Sequence, residues 1–574
     1  MSDKVGAHEA WPARAAGLAV LGALLAIAFE RLLLEGPGET ATNDPLRLSL
    51  ASFVAIFGFV LGFTLERLLP LWSALFALGC ASVVALIFYW NGTPEGWSAG
   101  DEWRVFSGLL VVAIAAPLFQ TMREASARRL DPSAVHAHAW TNIVLWFAAW
   151  AFTLITFLLA HLLAELFNLI GLDLLRRTMR EAWFVAGIIG AALGGAIGLL
   201  RDRDQVLGML QRVVTTVLSV LAPVLAVGLA LFVAALPFTG LAPLWDKTSA
   251  TTPILLFAIA GALVLANSVI GNRAEEEAKS KVLRFSAMAL AAVMLPLAMV
   301  AAVSTWLRIE QHGFTPERLW AAVFVGIVLA IAATYLWTVA RGRLGWAERA
   351  RPANVRLALG ISAVALLLAT PLINFGAIAT RDQLARLETG RVAPDRFDWA
   401  ALKFDFGPSG RAALERLSRS GPAAWQAQAR QALALQNRRA ARETERVSQQ
   451  ARNLAASIRV LPNPITPPAA LVDAIAREQA CFVGSCSLFW TAGARTAVVV
   501  GFDCESCRVS TSRFDLDGFD AWQRTQGGPI AVVTDQPAAI RQQRAATDSG
   551  EVEIRSVQRR QVYVGGKPIG TPFE

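Results

Sequence analysis

Charge is scarce in this 574-residue chain. Asp, Glu, Lys and Arg together make up 17% of it, 55% is hydrophobic, and the mean hydropathy is +0.46. So apolar a composition lies outside the range of ordinary soluble enzymes and reads as a membrane protein. Recognisable catalytic signatures are also lacking. The sequence contains no Walker A loop, no HExxH helix and no convincing nucleophile triad, so no nucleotide-driven, zinc-protease or hydrolase activity has sequence support. No small-residue cleavage pattern follows the first apolar stretch, so Lys4 and Arg14 precede a retained anchor rather than a signal peptide. The formal charge of +9 does not imply nucleic acid as a partner, because the basic residues cluster in short loops between apolar runs, where membrane topology accounts for them.

Those apolar runs are about 20 residues each, enough to cross a hydrocarbon core of roughly 30 Å. Eleven spans are expected, near 15–34, 46–65, 69–90, 104–121, 140–168, 183–200, 213–237, 253–271, 285–307, 319–340 and 357–378. Lys and Arg divide eighteen to nine between alternate loops, which favours a cytoplasmic N-terminus and, after eleven crossings, a periplasmic C-terminal region. The 169–182 loop, with three arginines, runs against that division. Trp90, Trp140, Trp183, Trp306 and Trp320 lie at expected span ends, where an aromatic belt would place them. The expected fold is an α-helical polytopic membrane protein with a C-terminal soluble α+β region. Its parts are a membrane domain over 1–378, a helical soluble segment over 379–461 and a small, β-rich, cysteine-containing domain over 462–574.

Inside the spans, "GIIGAALGGAIG" places Gly190, Gly194 and Gly198 at four-residue spacing, one small face against which another helix can pack closely. Pro223 and Pro296 interrupt helical runs and predict kinks. Ionisable groups in a span are the default functional candidates. His161 and Glu165, four residues apart, share a helix face and have the spacing for a proton relay or a pair of metal ligands. The competing reading puts both at the outer interface, since the run they belong to exceeds the thickness of the core. His136 and His138 read as loop residues ahead of a span, and Asn267 and Asn374 as interhelical hydrogen-bond donors.

Between two apolar segments, "RIEQHGFTPERLW" at 308–320 has Thr315 as a helix N-cap and Pro316 at the first helical position. Its pattern of Arg308-Ile309, Gly313-Phe314-Thr315 and Arg318 resembles that of the bacterial inner-membrane family called domain of unknown function 4153. The stretch "ATRDQLARLETGRVAPDRFDWAALKFDFGPSGRAAL", 379–413, is similar to the segment after the last span in proteobacterial members. The resemblance extends over about 46–413 and implies a multi-pass inner-membrane protein. It carries no established reaction, so Arg308, Gly313, Thr315 and Arg318 match as positions of unassigned role.

From 379 onward, 26 Lys and Arg stand against 20 Asp and Glu with no further span. Residues 422–458 read as helix, with Val447, Ala451, Leu454 and Ile458 as an apolar stripe that packs on the same chain, on a partner helix or on the membrane surface. "LPNPITPP" reads as a linker. "SLFWT" and "TAVVVGF" around "AGAR" predict a β-hairpin, "GPIAVVTD" and "RQVYVGGKPIG" further strands, and "DGFDAWQRTQ" a short helix. Asp515, Asp517 and Asp520 lack the EF-hand spacing and read as turn and cap residues.

Four of the five cysteines lie in this region: Cys481, Cys486, Cys504 and Cys507. In an oxidising periplasm disulfides lead. Folding about "AGAR" favours nested bonds, Cys486 to Cys504 and Cys481 to Cys507, with local pairing within each couple still open. A zinc ribbon on the four thiols and a Cys-x2-Cys redox couple are the alternatives.

No cofactor is called for. The function favoured by the sequence is a non-enzymatic inner-membrane anchor, held in the lipid bilayer, presenting a periplasmic domain to an envelope protein or polymer. A transporter of an ion, lipid or small solute is the second reading, and a membrane enzyme the third.

Overall fold

The computed structural model describes residues 11–34, 42–67, 69–125, 130–241, 250–462, 464–481, 486–502, 509–518, 521–525, 560–564 and 567–573, with the isolated positions 542, 545 and 549. The chain divides into two compact units, Met1–Arg430 and Gln431–Glu574. Residues 379–430 therefore group with the helices that precede them, and 431–461 with the sheet that follows, instead of forming one segment.

The first unit is helical because lipid leaves a spanning backbone no partner but itself. Its helices are α1 Pro12–Leu33, α2 Pro45–Thr64, α3 Pro70–Asn91, α4 Asp101–Ala125, α5 Pro132–Leu169, the short α6 Leu174–Thr178, α7 Ala182–Arg201, α8 Asp204–Thr239, α9 Thr251–Ile270, α10 Lys281–His312, α11 Pro316–Gly342 and α12 Trp346–Ala369. Proline in the first turn starts α1, α2, α3, α5 and α11, and Asp44 and Asp131 cap α2 and α5 through the amides of Leu46 and Ser133. Ten stretches among the described residues are long and apolar enough to cross a membrane, the last of them Pro316–Ala369. That last stretch is two helices. Tyr335 Oη donates to Asn354 Oδ1 at 2.7 Å, whereas 19 residues of straight helix would separate the two by about 28 Å. The chain reverses at Arg343–Gly345, so each of the eleven expected spans has its own helix.

Several boundaries differ from expectation, among them two that move candidate residues. The fifth helix begins at Pro132, which makes it 38 residues long and takes His136 and His138 out of a loop; Asp131-Pro132 is its start signal. The last span ends at Ala369 rather than 378, and Asn374 caps a new helix, α13 Phe375–Glu388, by accepting from Ala377 N at 2.9 Å instead of bonding across the membrane. Pro223 and Pro296 lie inside α8 and α10, as expected. Beyond α13 come α14 Trp399–Phe404, α15 Gly407–Ser420 and α16 Ala423–Ala434.

Small residues let the helices approach. A methyl group added to Gly190 would strike the carbonyl oxygen of Gly22, one on Gly194 that of Leu18, and one on Gly198 would lie 2.6 Å from Ala15 Cα. The glycine face of α7 is thus the seat of α1. Alanines do the same between α8, α9 and α10, where Ala222, Ala262, Ala266, Ala291 and Ala298 are buried around Leu290 and Leu297.

The second unit consists of α17 Arg438–Ser457, α18 Ala469–Arg477 and a five-stranded sheet in sequential order: β1 Arg459–Leu461, β2 Ser487–Phe489, β3 Thr496–Phe502, β4 Val509–Leu516 and β5 Trp522–Thr525. The β1–β2 pair is parallel and the others antiparallel. The expected hairpin is β2–β3, with Phe489 opposite Val498. A separate hairpin joins β6 Arg560–Val564 and β7 Lys567–Phe573. Ala451 and Leu454 of the helical stripe are buried with Leu471, Ile475, Val499 and Phe514, so the stripe packs on its own unit. "DGFDAWQRTQ" yields strand β5 instead of a helix, because Trp522 fills the core beneath the sheet. "GPIAVVTD", Asp520, Cys504 and Cys507 lie outside the described residues.

Candidate functional site

Six helices, α4, α5, α8, α9, α11 and α12, enclose a cavity of about 1040 Å³. Its wall is almost wholly aliphatic and aromatic, as their membrane-spanning sequences dictate, and Phe106, Ile143, Phe147 and Val264 stay 43–69% exposed where it opens outward. In an apolar span that outward side is lipid.

One pole of the cavity is polar. His136 stands at the start of α5, Arg351 and Asn354 at the start of α12 and Asn267 near the end of α9, so all four lie at the same end of the bundle. Asn267 Nδ2 donates to Tyr335 Oη, Tyr335 donates to Asn354 Oδ1, and Asn354 Nδ2 donates back to Asn267 Oδ1, each at 2.7 Å. This closed ring ties three helices together. Arg351 Nη2 donates to Ile270 O at 2.6 Å and Nε to Gly271 O at 3.3 Å, satisfying carbonyls at the C-terminus of α9, with Glu277 at 3.4 Å. Its Nη1 has no partner among the described residues. Trp140 Nε1 donates to His136 Nε2 at 2.9 Å, so His136 is held with its proton on Nδ1.

His161 and Glu165 lie elsewhere. Both side chains face outward on α5; Glu165 pairs with Arg176 of the next connection at 3.6 Å, and His161 stacks on Phe157. The structure builds neither a relay nor a ligand pair from them.

The loop at 308–320 and the segment after the last span come together at the other end of the bundle. Gly313, at φ +75°, turns α10 into α11, and a Cβ there would lie 2.5 Å from Asp382 Oδ2. Asp382 of α13 accepts from Phe314 N at 2.7 Å, Gln383 donates to the carbonyls of His312 and Phe314 at 2.8 and 3.0 Å, and Arg386 donates to that of Gln311 at 2.7 Å. Thr315 caps α11 as expected, accepting from Arg318 N at 3.3 Å. Arg318 turns back onto Gly313 O at 2.9 Å, and Arg308 sits one turn before the end of α10. Thus the two stretches that carry the family resemblance are joined through main-chain carbonyls and amides. The family profile of a domain of unknown function (DUF4153) matches residues 46–417. The chain belongs to that family. No curated protein and no solved structure matches it. Both the cavity and the α10–α11 turn lie within the DUF4153 region.

In the second unit Cys481 and Cys486 are bonded, with Cα atoms 6.1 Å apart. The pairing is local rather than nested. The strand register sets Ser487 opposite Val500, and one more step would bring Cys486 beside Gly501, three residues short of Cys504. Two of the four thiols that a zinc ribbon needs are therefore in a disulfide. Asp515 and Asp517 serve the sheet and its turn: Asp517 Oδ1 accepts from Ala521 N, and hydrogen bonds from Thr525, then Thr496 and Arg513, hold Asp515 below the ordinary carboxylate range.

Proposed function

We propose that this DUF4153 protein resides in the bacterial inner membrane and takes a lipid-like amphiphile with an acidic head into the cavity between its helices. One observation carries the reading: an apolar cavity of about 1040 Å³ with a single polar pole at Arg351 and His136. Ligand sites of this size hold a largely apolar molecule oriented by a few polar groups. The lateral opening admits an acyl chain from the bilayer, and the unused guanidinium nitrogen of Arg351 meets an anionic head. Among transported classes, such a wall favours a lipid over an ion or a small polar solute. The experiment is native mass spectrometry of protein extracted from its own membrane in mild detergent. Wild type is expected to carry bound lipid, and Ala358→Trp and Ala139→Trp, which fill the cavity, to carry at least several-fold less. Lipid-free wild type, or full occupancy in both variants, refutes the reading.

A second reading concerns the C-terminal unit, and a specific observation favours it. A disulfide at Cys481–Cys486 suits an oxidising compartment, and the arginine partition independently favours a periplasmic tail. On this reading the unit is displayed to an envelope protein or polymer. Intact spheroplasts treated with a membrane-impermeant thiol reagent should label these cysteines only after reduction. Labelling confined to lysed cells would place the unit in the cytoplasm.

A further inference from the structure

At the end of the bundle opposite the ring of Asn267, Tyr335 and Asn354, a second cavity of about 820 Å³ lies between the α10–α11 turn and the 390–398 connection that follows α13. Unlike the first it is polar over about half of its wall, and it is independent of the lipid-cavity reading. One wall is rigid, since Gln383 and Arg386 fasten His312 and Gln311 by their carbonyls and Arg318 fastens Gly313. Those cations therefore do structural work. Arg391 and Arg396 do not: both line the cavity, both are exposed, and neither side chain has a hydrogen bond or ion pair among the described residues. The carboxylates at hand leave them so. Asp398 is committed to the N-terminus of α14 through Ala401 N at 2.9 Å, and Asp395 makes no ion pair with either arginine among the described residues.

We infer that this cavity is a binding site for a phosphate group, taken by the free guanidinium forks of Arg391 and Arg396 over the carbonyl-braced α10–α11 turn. Arginine presents paired N–H donors that match two phosphate oxygens, and two such forks on one cavity give a dianion more than a single point charge would. The location suits a headgroup. Trp306, in the last two turns of α10, faces outward at 66% exposure. Tryptophans so placed mark the level where spanning helices meet lipid headgroups. The same phosphate chemistry also occurs in soluble phosphomonoesters.

The test uses the full chain in neutral maltoside detergent, measuring the unfolding midpoint with two probes. Phosphatidylglycerol is titrated against phosphatidylcholine in mixed micelles, and glycerol 1-phosphate is titrated as the soluble counterpart. A ligand that binds only the folded state raises the midpoint with concentration. Wild type is expected to gain several degrees from at least one probe, and the responding probe identifies whether the phosphate is lipid-borne or soluble. The Arg391→Ala/Arg396→Ala double variant is expected to need at least tenfold more of that probe for the same gain. Because neither side chain holds another protein group, the variant should match the wild-type midpoint before any probe is added, which separates lost binding from lost folding. No gain in wild type from either probe, or an equal response in the double variant, overturns the inference.

Discussion

The two ends of the helical unit use arginine in opposite ways. At the end where α1 begins, Arg14 donates to Asp202 at 2.6 Å, Arg123 to Thr64 O at 2.5 Å, and Arg201 to both Phe63 O and Glu66, so that α1, α2, α4 and the α7–α8 turn are knotted together. Glu66 gathers three guanidinium groups, with Arg14 at 3.6 Å and Arg123 at 3.9 Å alongside Arg201. There Arg14, Arg123 and Arg201 are cement. At the far end Arg318 and Arg386 close the α10–α11 turn, but Arg391 and Arg396 stand before a cavity with nothing to hold. Positive charge in a membrane protein is therefore not one signal. Its meaning depends on whether a carbonyl or carboxylate is already in reach.

Substitutions can break or sharpen that contrast. The largest loss should come from Asp202→Ala, which leaves Arg14, 6% exposed, without its near partner. Removing one member of a buried pair costs about 3 kcal/mol or more, so the unfolding midpoint in detergent should fall clearly. A midpoint equal to wild type would deny the knot its structural role. Midway stands Tyr335→Phe, which opens the asparagine ring and should cost about 1–2 kcal/mol. Because Asn267 and Asn354 line the apolar cavity, the same change should, on the proposed reading, also alter which lipids copurify. An unchanged lipid profile would confine the ring to packing. The smallest effect belongs to Arg391→Ala with Arg396→Ala, within about 0.5 kcal/mol without added phosphate. A larger loss would show that the far end is cement as well.

Much of this architecture was legible in the sequence. Runs of apolar residues as long as the bilayer is thick can form little other than helices, and Thr315-Pro316 and Gly190-x3-Gly194-x3-Gly198 announced a helix start and a close contact in purely local terms. Errors arose where local signals competed. "DPSAVHAHAW" is polar enough to pass for a loop, yet Asp131-Pro132 starts a helix there, and Pro371 with Asn374 ends the last span nine residues earlier than hydropathy alone suggests. Contacts across sequence were out of reach. Nothing periodic links Gln383 to His312, or Asn267 to Tyr335 and Asn354, so both cavities were invisible, although Asn267 stood out as a polar group within a span. The intramembrane pair that did attract notice, His161 and Glu165, faces outward. The cysteine pairing followed the strand register, which "AGAR" by itself does not set.

The seat of α1 on α7 has a consequence for how the protein is made. Gly22 and Gly190 meet backbone to backbone, yet 168 residues separate them in the chain. At synthesis rates of about 5–20 residues per second, the partner of α1 leaves the ribosome roughly ten to thirty seconds after α1 itself. During that interval the first helix must lodge in the bilayer with its small-residue face against lipid, while α2 to α5 insert around it. Among the described helices α1 thus waits for a neighbour made well after it, and this part of the bundle assembles in retrograde order: α7 goes back to collect α1.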